Sequence, residues 1–445
     1  LQGEDSLKIS VIGCGYLGAT HAAAMAEMGY DVVGVDVDAG KIESLQQGRA
    51  PFYEPGLDEM LSKHVGSGAL AFTTDFAAVA GCDAHFVCVG TPQVPGSNAA
   101  DMRYVDGSID ALAPYLTGPA LVIGKSTVPV GTAQRLVGRL QAAAPGGAEV
   151  HLAWNPEFLR EGFAVEDTLR PDRLVVGLAE GADPADEERL RRIYAPQIAA
   201  GTPFLVTDFA TAELVKVSAN SFLATKISFI NAMAEICEAT GADVTQLADA
   251  IGYDDRIGRK FLGAGIGFGG GCLPKDIRAF LARAGELGLG SSLAFLREVD
   301  EINMRRRARV SDMARELLHG TPLGARVAVL GVAFKPDSDD VRDSPALNIA
   351  ASLHLQGAQV NVYDPKAMGN AGRLFPTLTY VPDAAAALAQ ADLVLLLTEW
   401  REFRQMDPEQ VGALVARRNI VDGRNALDPQ QWRAAGWQYR GIGRP

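Results

Sequence analysis

The chain has 445 residues, a formal net charge of −13, and 48% hydrophobic against 21% charged residues. The acidic balance argues against a general nucleic-acid binder, while leaving room for a local cationic pocket for phosphate. No apolar run approaches the ~20 residues that span a bilayer, no basic-then-apolar opening announces a secretory signal, and the length calls for two or three domains.

Residues 8–13 read as a buried strand, 17–28 as a helix opened by a glycine turn, and 31–36 as a second strand. Apolar runs at 85–89 and 120–124 end in Gly90-Thr91-Pro92 and in Lys125-Ser-Thr-Val-Pro-Val-Gly-Thr132. Strands alternating with helices predict a parallel, doubly wound sheet, which binds ligands at the carboxyl ends of its strands. From 208 to about 240 the apolar spacing is helical, with no Gly or Pro until Gly241. One helix of that length far exceeds the ~11–12 residue mean and suits a spine or a dimer core. A further helix is expected over 291–313. The opening pattern then recurs: strand 326–331, helix 346–356, strand 359–364 ending in an acid, and later strands at 392–398 and 419–422. The fold class expected is α/β, with two Rossmann-like doubly wound domains joined by a central helical domain. The parts are residues 1–205, 206–312 and 313–445.

Gly13-Cys-Gly-Tyr-Leu-Gly18 follows a strand and opens a helix, and Asp36 ends the next strand. In that context the pattern is a dinucleotide fingerprint. Gly13, Gly15 and Gly18 permit the tight turn and the close approach of a pyrophosphate to the helix N-terminus, beside Tyr16 and Leu17. Asp36 accepts from ribose hydroxyls and repels a 2′-phosphate, favouring NAD over NADP. Gly90, Thr91, Pro92, Ser126 and Thr127 stand at strand carboxyl ends on the same sheet.

Five cysteines (Cys14, Cys82, Cys88, Cys237 and Cys272) are scattered, and six histidines form no ligand spacing. Neither a disulfide framework nor a metal site is expected, and a reducing, cytoplasmic compartment fits. Cys272 stands apart in Gly265-Ile-Gly-Phe-Gly-Gly-Gly-Cys-Leu-Pro-Lys-Asp276, a glycine-rich turn closed by Lys275 and Asp276. Glycines let a ligand approach, and nearby cationic charge favours the thiolate. Composition alone leaves Cys272 balanced between a nucleophile and a small buried hydrophobe. With the fingerprint, it points to an oxidation through a covalent thioester. Lys216 and Asn220, four apart on the long helix, share a face and suit an oxyanion, or else a solvated surface. Asn155-Pro-Glu-Phe-Leu-Arg-Glu-Gly162 sets Glu157 and Glu161 four apart in a loop or a helix start. The polar stretch 334–345 is a ligand loop or a surface turn.

Together these motifs, with RIGRKF (residues 256–261) and DGRNALD (422–428), resemble the UDP-glucose/GDP-mannose dehydrogenase family, most of all its UDP-glucose 6-dehydrogenase branch. The match runs in order over nearly the whole chain. The resemblance implies a four-electron oxidation of a nucleotide sugar's C6 alcohol to a carboxylate, using two NAD. It implies that Cys272 attacks the aldehyde, that Lys216 and Asn220 stabilise charge on the C6 oxygen, and that Asp276 assists proton transfer or orients water and Lys216. It gives Glu157, with Thr127 positioning water, the acid–base steps and thioester hydrolysis.

For the sugar nucleotide, the resemblance supplies Phe158, Leu159, Arg160 and Glu161, then Lys260, Phe261, Gly265, Gly267, Phe268 and Gly269. From the C-terminal part it supplies Phe334, Lys335 and Arg424. Arg256 would reach into a partner subunit's site, making a homodimer necessary. Lys41, Thr91, Glu161 and Lys275 would contact NAD. One departure is Gly271, where the family's loop has Ser.

The GDP-mannose branch is the near rival, and a thymidine nucleotide such as TDP-glucose stays open. The UDP-N-acetylmannosamine branch usually carries His before the nucleophile. A beta-hydroxyacid dehydrogenase needs neither Cys272 nor the second Rossmann-like domain, and a non-catalytic NAD-binding scaffold would tolerate loss of Cys272, Lys216 or Asp276.

Overall fold

The structure, a computed structural model, describes residues 7–146 and 148–445. The chain divides into two compact units, residues 1–219 with 278–283, and residues 220–277 with 284–445.

The first unit is built on an eight-stranded sheet of β1 (Lys8–Ile12), β2 (Asp31–Val35), β3 (Leu70–Thr73), β4 (Ala84–Val87), β5 (Ala120–Gly124), β6 (Val150–Trp154), β7 (Leu174–Leu178) and β8 (Phe204–Asp208). Their order is β3-β2-β1-β4-β5-β6-β7-β8, parallel except between β6 and β7. The inner strands β4 and β5 are buried at every residue. That is why β5 reads as an unbroken apolar run, since a parallel sheet is covered on both faces; in β4 the buried His85 is bonded to Ser10 of β1 at 2.7 Å. The order reverses between β1 and β4, the crevice where open α/β sheets bind ligands.

The second unit repeats the plan with β9 (Arg326–Leu330), β10 (Gln359–Tyr363), β11 (Thr379–Tyr380), β12 (Leu393–Leu396), β13 (Asn419–Asp422) and β14 (Gln438–Gly441). The order is β11-β10-β9-β12-β13-β14, all parallel. The expected duplication is therefore a duplication of topology. The central helical region carries a 32-residue helix, Phe209–Thr240, and a 23-residue helix, Phe295–Leu317. The long helix stops at Gly241, which takes a positive φ of 77° that glycine adopts without strain.

The α/β class, the paired Rossmann-like sheets and the long helix agree with the sequence. Other elements were not anticipated there. The strands β3, β8, β11 and β14 lie at sheet edges, while β6 and β7 are interior, with apolar runs no longer than those of helices. Leu273–Glu286 is a helix rather than a turn closed by Lys275 and Asp276. Pro274 obscures it in the sequence, yet proline is tolerated in a first helical turn, where its missing N–H breaks no bond.

Candidate active site

In the first unit, the turn after β1 and the helix Tyr16–Glu27 form the dinucleotide cradle. Gly13 has φ 87°, and a Cβ there would press on the Val89 side chain at 2.7 Å. A Cβ on Gly18 would overlap the Gly13 carbonyl oxygen, so this glycine lets the helix sit against the turn. At Gly15, by contrast, a Cβ would meet nothing within 4 Å. The turn is filled on its protein side and open on the other, and no side chain caps the helix. Unpaired first-turn N–H groups of this kind suit a diphosphate.

Asp36 is largely buried and accepts from the Cys14 amide and from Lys41 Nζ, both at 2.8 Å. The residues present fit NAD. Lys41 enters as the ion-pair partner of Asp36, so its place beside the fingerprint is set by the acid. Thr91 Oγ1 donates to the Thr127 carbonyl at 2.8 Å and Ser126 Oγ to the Val89 carbonyl at 2.6 Å. These bonds tie the β4 and β5 turns together, with Gly90 and Pro92 exposed beside them.

The second sheet has no such cradle. Asp364 ends β10 as Asp36 ends β2, but it is fully buried. Its oxygens accept from the amides of Val332, Ala333, Lys366 and Ala367 and from Trp400 Nε1. A carboxylate saturated by its own turn, by the turn after β9 and by Trp400 has nothing left for a ribose.

The first unit also carries Lys216 and the 155–161 loop. Lys216 is not on a solvated face: it is 4% exposed, and its Nζ lies 3.1 Å from Glu157 Oε1. It also stands over the Phe158 ring, on which Arg173 stacks at 3.8 Å. The segment from Asn155 to Glu161 is loop, not a helix start, and the Leu159 amide donates to Glu157 Oε2. Arg160 is exposed and held by Asp167 at 2.6 Å. Leu159 and Glu161 are half-buried. Tyr16 donates to Glu54, a buried carboxylate that also accepts from the amides of Gly162 and Ala164 at 2.6 and 2.7 Å. This pair was missed in the sequence because Glu54 lies 38 residues from Tyr16 without a motif of its own.

In the second unit, Cys272 is exposed, while Cys14, Cys88 and Cys237 are buried and Cys82 is half-buried. Desolvation raises the Cys82 thiol to about 11 and the Cys88 thiol to about 12, which makes both poor nucleophiles. The Cys272 carbonyl accepts the Asp276 amide at 2.9 Å, the first bond of the helix Leu273–Glu286. Cys272 is thus the N-cap, where the helix dipole favours a thiolate. Asp276, 2% exposed, accepts from Asn220 Nδ2 at 2.7 Å and from Lys275 Nζ at 2.6 Å.

The glycines before Cys272 pack against residues 334–345, so that stretch is no mere surface turn. A Cβ on Gly270 (φ 84°) would lie 2.9 Å from the Phe334 ring, and one on Gly271 would land on the Arg342 guanidinium. The Gly270 amide donates to the Arg342 carbonyl at 2.8 Å. Arg424 donates to the carbonyls of Gly267 and Phe334 at 3.2 and 2.9 Å, joining three of the expected substrate residues; a Cβ on Gly265 would lie 3.6 Å from it. Phe268 is buried, its amide bonded to Asn303 Oδ1, and Gly269 backs onto Asp343. Lys335 stands over the Phe334 ring. Lys260, Phe261 and Arg256 are exposed, and Arg256 pairs with Asp254. Among the described residues no group of carboxylates, histidines and cysteines could hold a metal, and no helix is long and apolar enough to cross a membrane.

A dinucleotide cradle with an acid for the ribose is the mark of an NAD-dependent oxidoreductase. Residues 7–198 match the NAD binding domain of the UDP-glucose/GDP-mannose dehydrogenase family, 210–305 its central domain, and 328–429 its UDP binding domain. The chain belongs to that family. It is 40% identical to the UDP-glucose 6-dehydrogenase of Rhizobium meliloti (strain 1021), over 99% of this chain and 100% of that one. To UDP-glucose 6-dehydrogenase TuaD of Bacillus subtilis (strain 168) it is 41% identical, over 98% and 93%. The solved structure of a UDP-glucose dehydrogenase from the hyperthermophilic archaeon Pyrobaculum islandicum superposes with a TM-score of 0.91 at 39% identity, covering 100% of this chain and 99% of that one.

Proposed function

We propose that the chain is an NAD-dependent UDP-glucose 6-dehydrogenase, oxidising the C6 alcohol of UDP-glucose to the carboxylate of UDP-glucuronate through a covalent adduct on Cys272. The observation that carries this reading is Cys272 itself, exposed at the head of a helix whose buried Asp276 is hydrogen-bonded to Asn220. Similarity to UDP-glucose 6-dehydrogenases over the full chain selects the sugar nucleotide.

NAD, held by Gly13, Gly15, Gly18 and Asp36, supplies the hydride acceptor for both oxidations. The chain's own residues do the rest. Lys216 and Asn220 stabilise negative charge on the C6 oxygen, as preorganised donors do. Cys272 bonds the C6 aldehyde carbon, which keeps a reactive intermediate from escaping. After the second oxidation the carbon is a thioester. Water then bonds the acyl carbon, the C–S bond breaks, and sulfur leaves as thiolate. Glu157, with Thr127 placing the water, accepts the water proton. Asp276 holds Asn220 and Lys275 in place and serves proton transfer at the cysteine. Phe158, Leu159, Arg160, Glu161, Lys260, Phe261, Lys335 and Arg424 are assigned to the nucleotide sugar.

The functional division proposed is threefold: 1–205 for NAD, 206–312 for dimerisation, and 313–445 for completing the sugar-nucleotide site. A homodimer with Arg256 serving the partner site is supported by exposed apolar residues seven apart on the long helix, Phe222, Phe229 and Ile236, and by exposed Tyr253 and Ile257. Apolar patches of that kind mark interaction surfaces. A cytoplasmic location belongs to the same reading, since the thiol must stay reduced.

The test is stoichiometry: NADH formed per sugar consumed with UDP-glucose, TDP-glucose, GDP-mannose and UDP-N-acetylmannosamine, for the wild type and Cys272→Ser. Two NADH per UDP-glucose, with turnover lost in the variant, is expected. One NADH per sugar would remove Cys272 from its role.

A further inference from the structure

Lys125 closes β5 and is 6% exposed, yet among the described residues no carboxylate lies within ion-pair distance of its ammonium. A buried lysine costs several kcal/mol unless something compensates it, so its surroundings bear on function. Its Nζ donates to Asn155 Oδ1 at 2.9 Å and approaches the Asn155 carbonyl at 3.4 Å. It stands 5.9 Å from the centre of the Phe86 ring and 6.0 Å from that of Tyr194. Asn155 is itself locked: the Tyr194 hydroxyl donates to its Oδ1 at 2.5 Å, its Nδ2 donates to the Val175 carbonyl at 2.7 Å, and its amide donates to the Gly124 carbonyl at 2.7 Å.

Pro156 follows, with a fixed φ that also confines Asn155 to an extended conformation. Glu157 comes next. Between Asn155 and the Glu157 carboxylate, little backbone freedom remains. Its Oε1 lies 3.1 Å from Lys216 Nζ, and its charge acts on the Lys125 ammonium.

We propose that Lys125 is a positioning residue, whose buried ammonium fixes Asn155 and so the Asn155-Pro-Glu turn, and thereby places the Glu157 carboxylate that accepts the water proton in thioester hydrolysis. This rests on the role given to Glu157 above. The ammonium never meets the substrate in this scheme. It acts through the loop geometry.

The experiment compares Lys125→Met, Glu157→Gln and the double variant on UDP-glucose with NAD, reading kcat, KM and the mass of acid-quenched enzyme. For Lys125→Met, kcat is expected to fall roughly 10- to 100-fold, the scale of a misplaced catalytic group. KM for UDP-glucose should change by less than about threefold, by the same logic that ground-state binding is untouched. The uronyl nucleotide should accumulate on Cys272, and the double variant should be no slower than Glu157→Gln alone. Undiminished kcat in Lys125→Met, or effects of the two substitutions that multiply, would overturn the proposal. Full turnover by Glu157→Gln would instead overturn the role of Glu157, a separate failure. Should Lys125→Met not fold, Asn155→Ala, which removes the acceptor at 2.9 Å, carries the same expectations.

Discussion

Asn220 Nδ2 donates to Asp276 Oδ2 at 2.7 Å, joining the long central helix to the first turn of the helix that Cys272 caps. The two residues are 56 apart in the chain, and the bond is buried. It orients an amide whose remaining hydrogen can meet an oxyanion. It also gives Asp276 a neutral partner opposite the Lys275 ammonium.

Asp276→Asn should therefore act on chemistry more than on binding. It removes the anion that holds Lys275 and gives the pair two amides in place of acid and amide. A loss of kcat of about 10²–10³ is expected, the range for removing one preorganised group, with KM for UDP-glucose nearly unchanged. Steady-state kinetics on protein of verified circular dichroism decides it.

Asp36→Ala should raise KM for NAD by about 10- to 100-fold, since a hydrogen bond to a charged group is worth ~1.5–3 kcal/mol. It also leaves the Lys41 ammonium without its partner, so the ratio of NADP to NAD activity should rise. An unchanged NAD requirement with unchanged cofactor preference would contradict the cradle described above.

Two glycine substitutions separate backbone need from space. Gly18→Ala drives a methyl into the Gly13 carbonyl oxygen, a backbone atom that cannot step aside. Overpacking of this kind costs ~1–3 kcal/mol, to be read by urea denaturation together with a weakened affinity for NAD. Gly271→Ser adds a Cβ whose three nearest atoms all belong to the Arg342 guanidinium, the far end of an exposed side chain that pairs with Asp340. It should cost less than ~1 kcal/mol and leave turnover within about threefold, the ordinary result when no named mechanism of destabilisation applies.

Lys125 gives a pH dependence of stability. Burial pulls its ammonium from 10.5 down to about 8, against the field of the Glu157 carboxylate, which holds the proton on, and with that of Lys216, which helps remove it. His21 and the Tyr194 ring face it as well. Below pH 8 both folded and unfolded chains carry the proton, and the burial cost is fully present. Between about 8 and 10.5 the unfolded chain holds a proton that the folded one has released, so this site's contribution to stability rises with pH. The total is ~3 kcal/mol. Lys125→Met should accordingly be more stable than the wild type at pH 7, with the gap closing toward pH 10. Asn155 Oδ1 keeps its bond from Tyr194 in the variant, so no buried acceptor is orphaned. Equal stabilities at pH 7, measured by urea denaturation, would refute this.

The sequence alone determined whatever depends on local pattern. Strands of a parallel sheet covered on both faces are mostly apolar, so β1, β4, β5, β9 and β12 were legible as runs. The glycine turn and Asp36 were legible because close approach of backbone to phosphate admits few other residues. Cys272 was singled out because its glycine-rich approach is closed by Pro274, Lys275 and Asp276. What the tertiary structure decided is which polar groups meet. Spacing shows that Lys216 has a helix face, but not that the face is buried against Glu157. The same holds for Asn220 with Asp276, and for Asp364, whose acid resembles Asp36 in sequence yet is consumed by its own turn together with Val332, Ala333 and Trp400. Lys125 reads as one letter in a motif until folding buries its ammonium on Asn155. Such pairings lie tens of residues apart, and their energetics come from desolvation, which exists only once the chain has closed around them.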